Sequence, residues 1–124
     1  MSEHVLVVDD EPMIRQFAAR VLLQEGFGVY EATDGAEALE LIRAGIANLE
    51  VVLSDIVMPR MNGVELLQSL STLRPDLPVL LMSGYGTAQL ADLGIASPCG
   101  VLAKPFSPEV LVAEVRRCIQ SVVK

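Results

Sequence analysis

Five short apolar runs divide this chain, and between most of them apolar residues recur at helical spacing. That alternation constrains the fold more than any other feature. His4 to Val8 is one such run, β-branched at Val5, Val7 and Val8 and too short for a core helix. Pro12 then suits a first helical turn, with Asp10 or Glu11 near the cap, and Ile14, Phe17, Ala18, Val21 and Leu22 mark one face as far as Gln24. Gly26 stops that helix. Gly28 to Ala32 reads as a second strand, and Asp34-Gly35-Ala36-Glu37 has capping-box spacing that opens a helix to Arg43. Val51 to Ser54 forms a third strand, and Asn62 and Glu65 repeat the cap spacing ahead of a helix through Val64, Leu67, Leu70 and Leu73. Pro75 and Pro78 bracket a turn before a fourth strand, Val79 to Met82, and Val101 to Ala103 makes a fifth. One short helix is expected over Thr87 to Leu93, crowded by Gly84, Gly86, Gly94 and Pro98, and Ser107-Pro108-Glu109 caps a last helix running to about Val122. Strands and helices in alternation give an α/β fold. Its five-stranded parallel sheet has right-handed crossovers and helices on both faces.

With 124 residues the chain reads as a single domain over residues 1–124, without repeat, linker or low-complexity tract. Apolar content of 52% argues against disorder and for a sheet covered on both faces. The uncharged, largely apolar stretch Leu93 to Ala103 falls short of the ~18 residues a membrane helix needs. Glu3, Asp9 and Asp10 stand where a signal peptide would need basic and then apolar residues, so a cytoplasmic location is expected. Cys99 and Cys118 lie far apart and match no ligand spacing, which predicts ordinary reduced thiols. A net charge of -7 disfavours direct nucleic-acid binding. Because these 124 residues stop soon after the last helix, no output domain is expected within them.

The chemistry lies where strands end. In a doubly wound sheet the ligand crevice forms just past the carboxyl ends of the strands. The first strand ends in Asp9-Asp10, the third at Asp55, the fourth at Ser83 and the fifth at Lys104. Each residue alone has a plainer reading: Asp55 caps a turn, Asp9-Asp10-Glu11 favours a helix N-terminus, Ser83 serves a turn and Lys104 lies on the surface. Together they predict something else. If the first and third strands are neighbours, their carboxylates converge, and that cluster needs a shared proton or a cation. Mg2+ suits it, binding a few carboxylates while keeping coordination positions for water and phosphate oxygens. A strand-end carboxylate can act as a nucleophile toward phosphorus, with Lys104 and Ser83 offering donors to the transferring group.

Asp9-Asp10, Asp55, Met58-Pro59 with Asn62-Gly63, Ser83-Gly84 and Lys104-Pro105-Phe106 resemble the receiver domain of bacterial two-component response regulators, in order and along the whole chain. The resemblance implies the strand order 2-1-3-4-5 of a flavodoxin-like fold. It implies that Asp55 accepts phosphate from the phosphohistidine of a histidine kinase or phosphotransfer domain. Asp10, Asp55 and the backbone carbonyl of Val57 would hold Mg2+ (or Mn2+), with Asp9 acting through water. Lys104 and Ser83 would hold phosphoryl oxygens and couple the site to the surface, and Lys104-Pro105 would adopt a cis peptide. The domain would be a regulatory phosphoacceptor rather than an enzyme. It would act on a downstream protein or fused domain, with no nucleic acid or membrane insertion and with room for weak dimerisation. The wording Leu80-Leu81-Met82-Ser83-Gly84-Tyr85-Gly86 resembles receivers of hybrid histidine kinases, which points to a phosphorelay module or stand-alone regulator.

One position departs from the family. Three residues before the Lys the family often carries Tyr or Phe, and here stands Val101, which puts the usual surface readout in question. Val57 and Tyr85, two residues beyond Asp55 and Ser83, do not position water well and predict slow self-dephosphorylation. Other readings are weaker. A haloacid-dehalogenase-type phosphatase needs a second Asp where this chain has Val57, and a flavodoxin-like binder needs a Ser/Thr/Gly-rich loop where it has Asp-Asp-Glu-Pro. A pseudo-receiver that only binds partners is the remaining alternative, and failure to bind Mg2+ would favour it.

Overall fold

The apolar runs form five parallel strands: β1 (His4–Val8), β2 (Gly28–Ala32), β3 (Leu49–Asp55), β4 (Val79–Ser83) and β5 (Gly100–Ala103). They pair in the order β2-β1-β3-β4-β5. The structure, a computed structural model, describes residues 3–84 and 98–121. The helix expected over Thr87 to Leu93, together with Tyr85 and Val122, lies outside the described residues. Among the described residues the helices are α1 (Pro12–Gln24), α2 (Gly35–Ala44), α3 (Gly63–Leu73) and α4 (Pro108–Ser121).

Successive strand residues face opposite sides of a sheet, and the core divides accordingly. Val7, Leu53 and Met82 pack with Leu22 of α1 and Leu111 and Val115 of α4. On the other face, Leu6, Val52 and Leu81 pack with Leu39 of α2 and Leu66 and Leu70 of α3. Full burial of each such side chain contributes about 1.5–3 kcal/mol before entropy is counted. The central strands β3 and β4 are buried along almost their whole length, whereas the edge strands β2 and β5 are largely half-exposed.

The helix ends follow the sequence signals with two adjustments. Asn62 and Glu65 form a reciprocal capping box at α3, and Ser107 Oγ accepts from the Val110 N–H at α4. At α2, Asp34 Oδ1 accepts from the Glu37 N–H at 2.9 Å, but the Glu37 carboxylate accepts from the Thr33 N–H rather than from that of Asp34. Glu11 is the N-cap of α1 without a side-chain cap bond. Gly26 ends the turn after α1 at φ +96°, a left-handed conformation that glycine adopts without steric cost.

The expectation of two separate thiols is corrected: Cys99 and Cys118 form a disulfide, with Cα atoms 5.8 Å apart. Their separation of 19 residues hides the pairing in the sequence. The fold creates it, because the Cys99 N–H donates to the Val79 carbonyl just ahead of β5, and α4 returns across that end of the sheet.

Candidate functional site

β1 and β3 are neighbours at the centre of the sheet, with Val8 opposite Ser54, so the residues that follow them emerge side by side. Asp9 leaves β1 fully buried, Asp55 closes β3 at 8% exposure, and Asp10 is exposed. One carboxylate oxygen from each of Asp9, Asp10 and Asp55 lies within 4.8 Å of the others. The Lys104 Nζ stands 3.3 Å from Asp9 Oδ2 and 3.3 Å from Asp55 Oδ1. Ser83, buried at the end of β4, pairs with Ala103, and its carbonyl accepts from the Lys104 N–H at 2.9 Å. Lys104-Pro105 is cis. Asp9, Asp10, Asp55, Ser83 and Lys104 therefore share one edge of the sheet.

Burial is the largest influence on the Asp55 carboxyl and raises its pKa. The Asp9 carboxylate adds to the rise, and Lys104 only partly offsets it. Burial works against the charge on Lys104, but the Asp55 and Asp9 carboxylates outweigh it and hold the ammonium above its usual value. Three carboxylates facing one ammonium leave two formal negative charges. Two like charges ~4 Å apart repel by roughly 4 kcal/mol at an effective dielectric of 20. An all-oxygen donor set with that excess fits a hard divalent cation such as Mg2+.

The loop after Asp55 is fixed at both ends. Ile56 donates its N–H to the Met82 carbonyl and accepts from the Gly63 N–H at 2.9 Å. Farther on, the Met61 carbonyl accepts from the Gly35 N–H, and the Arg60 guanidinium pairs with the buried Asp34 carboxylate, Nε to Oδ2 2.7 Å. Arg60 adopts φ +63° to reach it. Val57, whose side chain is 63% exposed, sits between these anchors. Val101 is half-buried and packs on the α2–α3 side of the core.

Sequence reasoning missed two supporting residues. Arg15 donates from Nη1 to the Asp9 carbonyl at 2.9 Å and from Nε to Glu31 at 3.0 Å, tying α1 to the ends of β1 and β2. Arg60 and Asp34 are 26 residues apart, and no local periodicity links them.

The sequence matches the family model described as response regulator receiver domain over residues 5–116. Sensor kinase CckA of Brucella abortus is 37% identical over 96% of this chain and 13% of its own length. Response regulator MprA of Mycobacterium ulcerans is 35% identical over 97% of this chain and 51% of its own length. The chain thus spans about half of MprA and a small part of CckA. Among solved structures, chemotaxis protein CheY4 of Vibrio cholerae superposes with a TM-score of 0.86 at 31% identity, covering 95% of this chain and 99% of that one. Response regulator TrrA of Thermotoga maritima, in complex with Mg(2+)-BeF, superposes with a TM-score of 0.83 at 30% identity, covering 94% of this chain and 98% of that one. The order of strands, the acidic edge and the family match agree: the chain belongs to the response regulator receiver domains of two-component signalling.

Proposed function

We propose that Asp55 is the phosphoacceptor of a Mg2+-dependent phosphorelay. The observation that carries this reading is the position of its carboxylate at the end of β3, beside the Asp9 and Asp10 carboxylates and 3.3 Å from the Lys104 ammonium. In the transfer, an Asp55 Oδ forms a bond to phosphorus while the phosphorus–nitrogen bond of a phosphohistidine protonated at its other ring nitrogen breaks, and the histidine leaves as neutral imidazole. Asp10 and Asp55, with the Val57 carbonyl, would hold Mg2+ (or Mn2+), and Asp9 would act through a water. The ion would supply positive charge to the transferring oxygens. Lys104 and Ser83 donate to those oxygens and orient the group. The Mg(2+)-BeF complex of TrrA supports the metal assignment.

The phosphodonor is a histidine kinase or phosphotransfer domain. Beside Lys104 runs a surface groove of about 460 Å³ lined by Met13, Ile14, Phe17, Pro105 and Phe106, and Met13 is 79% exposed. A partner that brings a histidine to Asp55 covers this groove. Output goes to a downstream protein or fused domain, and the likeness to part of CckA supports a place in a hybrid kinase relay. Among the described residues no helix is long and apolar enough to cross a membrane. A cytoplasmic location fits that role.

Intact mass after incubation with Mg2+ and acetyl phosphate tests the assignment. One phosphate adduct that needs Mg2+ and is absent from Asp55→Asn is the expected result. An adduct that persists in Asp55→Asn places the acceptor elsewhere. A wild type that takes up neither phosphate nor Mg2+ is an interaction module only.

A further inference from the structure

We propose that the Cys99–Cys118 bridge is a thiol–disulfide exchange site, opened by low-molecular-weight thiols that attack Cys99 and expel Cys118. The two sulfurs are unequal. Cys118 is fully buried, whereas Cys99 is half-buried and lines a surface cavity of about 200 Å³ with Arg74, Pro78 and Ser121. An attacking thiolate therefore meets Cys99 first. The leaving sulfur is prepared as well. The Arg117 Nη2 lies 3.8 Å from Cys118 Sγ while donating to the Cys99 carbonyl at 3.1 Å, so one guanidinium spans both halves of the bridge. A cation beside a sulfur favours its thiolate, and a better-stabilised thiolate leaves faster. Glu114 pairs with Arg117 and holds the guanidinium in place, and Ser121 Oγ stands 3.9 Å from Cys99 Sγ.

The exchange balances without an outside oxidant beyond the small-molecule disulfide. The thiolate RS⁻ forms an S–S bond to Cys99, the Cys99–Cys118 bond breaks, and its electron pair remains on Cys118, which takes a proton from solvent. A second RS⁻ attacks the outer sulfur of the mixed disulfide and releases RSSR and the Cys99 thiolate, which takes a proton from solvent. RSSR closes the bridge by the reverse route. Cys99 immediately precedes β5, an edge strand whose last residue, Ala103, adjoins Lys104, so the bridge is a covalent tie at the far end of the strand that delivers the site lysine.

The full chain would be equilibrated in its folded state at graded ratios of reduced to oxidised glutathione, quenched with acid, alkylated under denaturing conditions, and read by intact mass. This readout does not depend on the phosphoacceptor assignment. The expected result is reversible interconversion between no alkyl adduct and two. Cys118→Ala should accumulate a glutathione adduct, Cys99→Ala should stay unmodified while folded, and Arg117→Gln should open several-fold more slowly than the wild type. Two alkylated thiols at every ratio, a bridge that opens only on denaturation, or equal uptake of glutathione by the two single-cysteine variants would each overturn the proposal.

Discussion

Gly63 lies so close to Asp55 that a Cβ at this position would overlap the Asp55 backbone oxygen, and it would stand 3.0 Å from the Ile56 Cα. The first residue of α3 is thus packed directly on the end of β3, and the Gly63 N–H bond to Ile56 fixes that approach. Backbone cannot yield as a flexible side chain can. Gly63→Ala should therefore lower stability by about 1–3 kcal/mol, the range for overpacking, and slow phosphorylation from acetyl phosphate by shifting Asp55. Denaturant unfolding with the adduct assay checks both; unchanged values in each would refute the packing argument.

Asp34 should give the fold a measurable acid sensitivity. Burial pushes its carboxyl up, but the Glu37 N–H and the Arg60 guanidinium together hold the pKa below the ordinary 3.8. A lowered folded value stabilises the protein above the unfolded pKa, and that contribution disappears as pH falls through the folded value. At pH 7, Asp34→Ala should cost about 1–2 kcal/mol, loss of a cap plus a pair whose arginine is mostly exposed. The gap to wild type should close below pH 3.8. Asp34→Asn keeps the cap and should lose less. Unfolding curves at neutral and acid pH decide this, and a gap that widens in acid would reverse the assigned sign.

Mg2+ should raise the unfolding free energy by mass action, about 2.7 kcal/mol at a concentration 100 times the Kd. Asp10 is exposed but belongs to the carboxylate cluster, so Asp10→Asn relieves like-charge repulsion and should leave metal-free stability equal to that of wild type or higher. It should nevertheless remove most of the gain from Mg2+. Thermal melts with and without the ion check this. An Asp10→Asn protein stabilised as much as wild type would take Asp10 out of the metal site.

The groove beside Lys104 separates two kinds of phosphodonor. Phe17 and Phe106 lie with ring centroids 6.0 Å apart along it, and Met13 projects into solvent. Met13→Asp should slow transfer from a phosphohistidine protein while leaving the rate with acetyl phosphate unchanged, because a small donor needs no docking surface. Equal rates with the protein donor would locate the partner on another face.

Much of this was legible in the sequence because the signals are local. A short apolar run such as Val5 to Val8, or caps such as Asn62 with Glu65, are decided by neighbours a few residues apart. The convergence of the candidate site residues was legible for a related reason: a parallel sheet brings every strand end to one edge, so Asp9, Asp55, Ser83 and Lys104 could be expected together from strand position alone. What escaped depends on contacts that no period encodes. Arg60 reaches Asp34 through a left-handed backbone turn, Arg15 reaches the Asp9 carbonyl around the start of α1, and Cys99 meets Cys118 only after α4 folds back.

Val57 should set the lifetime of phosphorylated Asp55. Hydrolysis of an acyl phosphate needs a water held in line with the bond to Asp55, and a side chain beside the site can hold it only by hydrogen bonding. Val57, two residues beyond Asp55 and largely exposed, has no polar atom in its side chain. Phosphorylated wild type should therefore persist well beyond minutes in Mg2+. Val57→Asn adds a donor and an acceptor at that position. A hydrogen bond worth about 1 kcal/mol in the transition state would speed hydrolysis roughly fivefold. Because Val57 is exposed, the substitution should leave folding intact, so the decay of the adduct by intact mass reads the chemistry alone. A wild-type half-life of seconds, or identical decay in Val57→Asn, would show that water is positioned by some other group.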